Sequence, residues 1–182
     1  SNPGNPVVFT SYKDDDYGGD SNDDWISPGS PGDWWWINYN NSPGNVLHDA
    51  LVRYGGYGGN SMVYANGSGI GTFEVRDCVL EKASSWAVQN ALSRSIGVHN
   101  NTIQSNNQGV GGTTATVANN AFVNCASVAV NLTGTATVQG NQISGSGTGI
   151  QVGAGSVLNN TVSGANGFGI VLTGSGSPTV TG

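Results

Sequence analysis

The chain has 182 residues, 30 of them glycine, and a formal charge of −6 from 11 acidic and 5 basic side chains. One methionine and few Lys or Glu leave it short of helix formers, which points to an all-β chain with many turns. The basic residues do not cluster and no apolar run is long enough to span a bilayer as a helix, so nucleic acid and membrane insertion are both excluded as expected partners.

In chain order, the first element is a strand at "PVVFTS", residues 6–11, set off by turn residues. An acidic insertion follows over 13–33, with Asp14, Asp15, Asp16, Asp20, Asp23 and Asp24. Crowded carboxylates repel and should hold this loop extended unless a hard cation relieves them. Asp20, Asn22 and Asp24 have the i, i+2, i+4 spacing of calcium loops, although Trp25 stands where Gly often sits and no Glu closes the pattern. Ca2+ is therefore the candidate ion, with an ordering role; the alternative is a solvated acidic insertion.

"GDWWWINYN" comes next. Strand alternation sends Trp35 to one face and Trp34 and Trp36 to the other, one of the two faces being core. Trp34 and Trp36, with Tyr39, Tyr54 and Tyr57, are candidates for a platform that stacks on sugar rings. The competing expectation is a local hydrophobic cluster with the acidic loop as its lid.

The rest of the chain repeats. The pattern Val-x-x-Asn-x-apolar occurs from Val98, Val117, Val138 and Val157, with looser copies from Val46 and Val75. A second column pairs a small residue with an aliphatic one at Ala87-Val88, Gly109-Val110, Ala129-Val130, Gly149-Ile150 and Gly169-Ile170. A unit of about 20 residues cannot bury its own apolar face, so stacked units must share a core. The expected architecture is an all-β parallel β-helix of about eight coils, roughly 40 Å long at the strand spacing of a sheet. Val98, Val117, Val138 and Val157 form one inward stripe, and Ile103, Phe122, Ile143 and Val162 the next. Asn101, Asn120, Asn141 and Asn160 fall at one turn and can ladder through their amides, with Asp49 and Cys78 in the same column; the neighbouring Asn100, Asn119 and Asn159 are the alternative. Cys78 and Cys125 lie two coils apart, too far for a disulfide, and are expected as buried free thiols. "VTG" at 180–182 reads as the start of another repeat. The segment 1–182 is therefore expected to belong to a longer solenoid, or to meet other copies end to end.

"NPVVFTS", the Asp-rich loop, "PGDW", "VRYGGYGG" and "VHNNTI" together resemble right-handed parallel β-helix repeat proteins of secreted bacterial type, in the pectin-lyase-like superfamily. That resemblance implies an extracellular or cell-surface location. It leaves function open, because the fold carries lyases, hydrolases, adhesins and structural modules. Superfamily lyases pair acidic calcium ligands with Arg or Lys on one strand face, and its hydrolases cluster aspartates near a His. The basic residues here are Lys13, Arg53, Arg76, Lys82 and Arg94. His48, Asp49, Arg76 and Asp77 occupy matching positions in adjacent coils and are the catalytic candidates; the plainer expectation is a turn with a satisfied His and a surface ion pair. His99 is expected as an ordinary outward-facing histidine. Thr-x-Thr at 114–116, 135–137 and 179–181 allows an ice-binding face as a minor alternative. The sequence favours a non-catalytic structural or adhesive module that contacts carbohydrate. An enzyme acting on acidic polysaccharide is the rival class.

Overall fold

The computed structural model describes residues 5–40, 44–67, 72–91 and 95–182; of the candidates above, only Arg94 lies outside them. The chain winds into a parallel β-solenoid with three strand-bearing faces. The first face stacks seven short strands, from Val7–Phe9 through Ala50–Arg53, Val79–Glu81 and Thr102–Gln104 to Thr161–Ser163. The second runs from Ile37–Asn40 through Val63–Asn66, Trp86–Asn90 and Gln108–Gly112 into the first half of Val128–Gln139. The third runs from Asn45–His48 through Phe73–Arg76, Ile96–His99 and Ala115–Ala118 into the second half of that same strand. Eight coils is thus an overcount. Five near-uniform coils begin at Val79, and the two strand sets before them are separated by the acidic loop and by the 54–62 turn.

The valine column is inward and continuous. Val98 pairs with Val75 and Val117, Val117 with Val138, and Val138 with Val157, and all five are buried. Each fully buried Val contributes about 1.5–3 kcal/mol relative to exposure. Leu80, Ile103, Phe122, Ile143 and Val162 form the stripe on the first face. Val88, Val110, Val130 and Ile150 form the one on the second. Period-2 alternation around each coil produces all three stripes from short apolar runs.

One register differs from expectation. Val75 pairs with Leu47, not Val46, and Val46 points outward. A one-residue shift flips every side chain, so the larger Leu takes the core position. Asp49 then leaves the ladder column and joins Asp77, Asn100, Asn119 and Asn159. All five sit at φ between 50° and 59°, with Gly140 at 64° in the same column. Asn and Asp tolerate this left-handed geometry best among non-glycine residues.

The two asparagine columns therefore divide the work of one corner. Asn100, Asn119 and Asn159 make the left-handed turn, while Asn101, Asn120 and Asn141 point inward and are buried. Asn120 Nδ2 donates to Val98 O and Asn141 Oδ1, and its Oδ1 accepts from the Asn101 backbone N–H and Nδ2, at 2.9–3.0 Å. Asn141 repeats the pattern onto Asn160. The stack ends at Cys78, whose backbone N–H donates to Asn101 Oδ1 and whose thiol turns to the Arg76 and Leu47 carbonyls.

The opposite corner of the first face uses the same device less regularly. Tyr54, Lys82, Ser105 and Asn124 take φ of 54–67°, with Gly145 and Gly164 completing the column. Inward of Ser105, Asn106 accepts from Ala83 N–H and donates to Leu80 O. Cys125 is the next inward residue of this corner, so the two cysteines sit at opposite ends of the first face. Both are free and buried, and burial pushes Cys78 up to about 11 and Cys125 up to about 12, which keeps them protonated and unreactive at neutral pH.

Asn120→Ala should cost about 3 kcal/mol, because it strands a buried N–H and a buried carbonyl in addition to losing the amide pair. Asn160→Ala, at a less buried rung, should cost less. Urea denaturation of both variants measures the difference.

Candidate functional site

The acidic insertion lies between Val7–Phe9 and Ile37–Asn40 and carries no strand of its own. It is not held extended, as carboxylate repulsion alone would predict. Asp20 accepts the backbone N–H groups of Asp24 and Trp25, each at 3.1 Å, and Asp15 accepts that of Ser27 at 2.6 Å. Its base is pinned to the stack. Ser11 and Lys13 both reach Asp33, and Thr10 Oγ1 donates to buried Asp14. Lys13 is raised by its hydrogen bond to Asp33, and Asp33 is held below the usual carboxylate range against its burial by Ser11, the Ser30 N–H and Lys13.

Arg53 is the rivet. It is 5% exposed, on the first face, and its guanidinium meets Glu81 at 3.0 Å, Asp16 at 3.3 Å and Asp14 at 3.4 Å. It also donates to Tyr54 Oη at 2.9 Å, as does Lys82. Glu81 in turn accepts from Gln104. Tyr54 and the neighbouring carboxylates raise the Arg53 pKa although burial opposes it. The guanidinium of Arg53 is therefore already surrounded by three carboxylates and the Tyr54 hydroxyl.

Three of the sugar-platform candidates are committed to the interior. Tyr54 is 2% exposed beneath the loop, where a Cβ at Gly29 would fall 2.5 Å from its ring. Trp34 packs on the core and its indole N–H donates to Arg53 O at 2.8 Å. Tyr39 packs on Phe73 with ring centroids 4.3 Å apart, and burial raises its pKa. The loop is thus a lid over Tyr54.

The open aromatics form a different set. Trp35 is 56% and Tyr57 53% exposed, with centroids 5.4 Å apart. Trp35 meets Trp36 edge-on at 5.1 Å, and Trp36 meets Tyr64 at 6.1 Å. Trp35 turns outward and Trp34 packs on the core, on opposite faces as alternation predicts, but the strand begins only at Ile37 and Trp36 stays in contact with Trp35 instead of following Trp34. Tyr64 was missed because only the pairing of Asn38 with Tyr64 brings it near Trp36.

The metal candidates regroup as well. Asp15, Asp20 and Asp24 bring one carboxylate oxygen each within 4.8 Å of one another, while Asn22 donates to Asp24 at 2.7 Å. Asp15 thus joins Asp20 and Asp24, and Asn22, whose Oδ1 is buried without a partner, stays beside them. Loop folding, not local spacing, brings Asp15 in.

The catalytic candidates lie on the third face, where His48, Arg76 and His99 share one outward column. His48 Nδ1 meets Asp49 at 2.9 Å and Arg76 meets Asp77 at 2.7 Å. Glu74 lies 3.9 Å from Arg76 and 3.8 Å from His99, beside a shallow groove of 330 Å³ floored by Phe73 and Ile96. Glu74 and His99 enter this group through strand pairing alone. Arg76 is raised by Asp77, Asp49 and Glu74 together. Three carboxylates thus act on one guanidinium at this site.

The three stacked faces, the inward columns and the laddered corners define a parallel β-helix. The model of the family described as "Right handed beta helix region" matches residues 61–182, and the chain belongs to that family. No curated protein and no solved structure matches it.

Arg53→Met should destabilise the chain by about 3–5 kcal/mol, because Asp14 and Glu81 would remain as buried, unpaired carboxylates. Limited proteolysis should then cut within 15–28, ahead of any cleavage in the coils.

Proposed function

We propose that this β-helix is a non-catalytic structural or adhesive module of an extracellular or cell-surface protein, and that it contacts carbohydrate through the ridge Tyr57–Trp35–Trp36–Tyr64. The ridge carries the reading: four aromatic rings in continuous contact, two of them more than half exposed, on a rigid scaffold. Exposed aromatic bodies with polar tips suit the mixed apolar and hydroxyl faces of sugar rings. The rival reading, an enzyme on acidic polysaccharide, draws less support, because Arg53 is spent on buried carboxylates and Arg76 is outnumbered by them.

Self-association belongs to the same proposal. The first rung presents Val7 and Phe9, and the last presents Ile170, Leu172 and Val180, all more than a third exposed where their paired residues Ala50, Val52, Ile150, Val152 and Val157 are buried. A further coil, from the same polypeptide or another copy, would cover them and pair the open strand edges. Calcium is the proposed ion of the acidic loop, with Asp15, Asp20 and Asp24 as its carboxylates and loop ordering as its role. An ice-binding face draws less support, since the column Thr116–Thr137 continues into Ser156 on one side and into Gly97 and Glu74 on the other.

Trp35→Ala should weaken retention in polysaccharide-containing native gels by about tenfold, the scale of losing a central aromatic anchor. Retention unchanged in both Trp35→Ala and Tyr57→Ala would remove the ridge as the contact. Added Ca2+ should raise Tm and EDTA should reverse the rise, with Asp15→Asn abolishing both; an identical Tm with and without Ca2+ would eliminate the ion.

A further inference from the structure

The aromatic ridge opens onto a longer strip. Strand register on the second face places Asn38, Tyr64, Gln89, Gly111, Asn131 and Gln151 in one column along the stack axis. Their neighbours Val88, Val110, Val130 and Ile150 are buried inward, so alternation turns this column out. Gly111 adds no side chain, and its place is taken. A Cβ there would lie 2.5 Å from Cζ3 of Trp86, so the indole ring covers the outer surface of that rung. The sequence along the axis is therefore Trp36 and Tyr64, an amide at Gln89, a second indole at Gly111, then amides at Asn131 and Gln151.

No Asp, Glu, Lys, Arg or His occurs in the strands that build this face: Ile37–Asn40, Val63–Asn66, Trp86–Asn90, Gln108–Gly112, Val128–Gln139 and Thr148–Leu158. The Glu74–Arg76–His99 group is on the third face and Arg53 on the first. A uronate or sulfate group laid on the strip would lose water and find no cation in return. The side-chain amides of Gln89 and Gln151 both donate and accept, which matches hydroxyl groups, while Asn131 Oδ1 is buried; the indoles suit the C–H faces of pyranose rings.

Resting on the carbohydrate reading above, we propose that the second face binds a neutral, extended polysaccharide lying along the solenoid axis from Trp36 to Gln151. The rungs repeat about every 4.8 Å, so the same kinds of contact recur along a chain and not around a single sugar. Length, not one tight subsite, then supplies the affinity.

The test uses the full chain in native gels containing xylan, glucomannan or a soluble β-glucan, against polygalacturonate and alginate. Two-sugar and six-sugar fragments of whichever polymer is retained then go to calorimetry. A neutral polymer should be retained, and the six-sugar fragment should bind at least about tenfold more tightly than the two-sugar one, by contacts spread over several rungs. Gly111→Ala, which displaces the Trp86 ring, and Gln151→Ala should each weaken the six-sugar fragment severalfold. The Gln151 variant touches no core contact and covers the case in which Gly111→Ala misfolds. Retention by acidic polymers alone would overturn the neutral assignment while leaving the carbohydrate reading intact. Equal affinity for both fragments would overturn the axial placement. Retention by none of the five polymers would remove the carbohydrate reading, and this inference with it.

Discussion

Each coil of this chain must turn sharply beside its core, and that turn exposes backbone N–H and C=O groups to an apolar interior. The amide stack from Asn101 to Asn160 resolves this conflict: each Asn satisfies a carbonyl of an earlier coil and takes a backbone N–H within the same column. Left unpaired, each such group would cost about 1–3 kcal/mol. The valine and isoleucine columns supply the apolar gain, but they can stack only because the corner holds every coil at the same height. The left-handed residue just before each Asn sets the direction of the turn, so the corner is a two-residue device repeated along the axis.

The early coils solve the same problem with different material. Where the ladder stops at Cys78, the Arg53 network begins on the same face. Asp14, Asp16 and Glu81 surround one guanidinium, and through Asp14 and Asp33 the acidic loop is fastened to the coils. A buried ion cluster of this kind contributes little net stability compared with an apolar core of the same volume, yet is costly to break. Its consequence is positional. It lays the loop over Tyr54, and the chain then emerges with Trp35 and Trp36 at the edge of the second face.

The three faces end up chemically distinct. The first carries the buried Arg53 network, and the third the Glu74–Arg76–His99 group and its groove. The second carries aromatics and amides without charge. A solenoid achieves this separation cheaply, because one residue changed per coil changes one position on one face and leaves the columns behind it undisturbed.

The sequence by itself determined the repeat, the parallel stack and the inward columns at Val98, Val117, Val138 and Val157, because their spacing and alternation are local properties written once per coil. It also held both asparagine columns, but not which would ladder. That choice depends on which side chain faces inward at the corner, and only the paired register decides it. The same register moved Asp49 to the turning position and put Leu47 in place of Val46. The candidate sites were far less legible. Trp35 and Tyr57, Trp36 and Tyr64, Asp15 with Asp20 and Asp24, and Glu74 with His99 are each joined across a loop or a strand pair. No spacing in the sequence encodes those contacts; they exist only once the coils are stacked and the loop is fastened down.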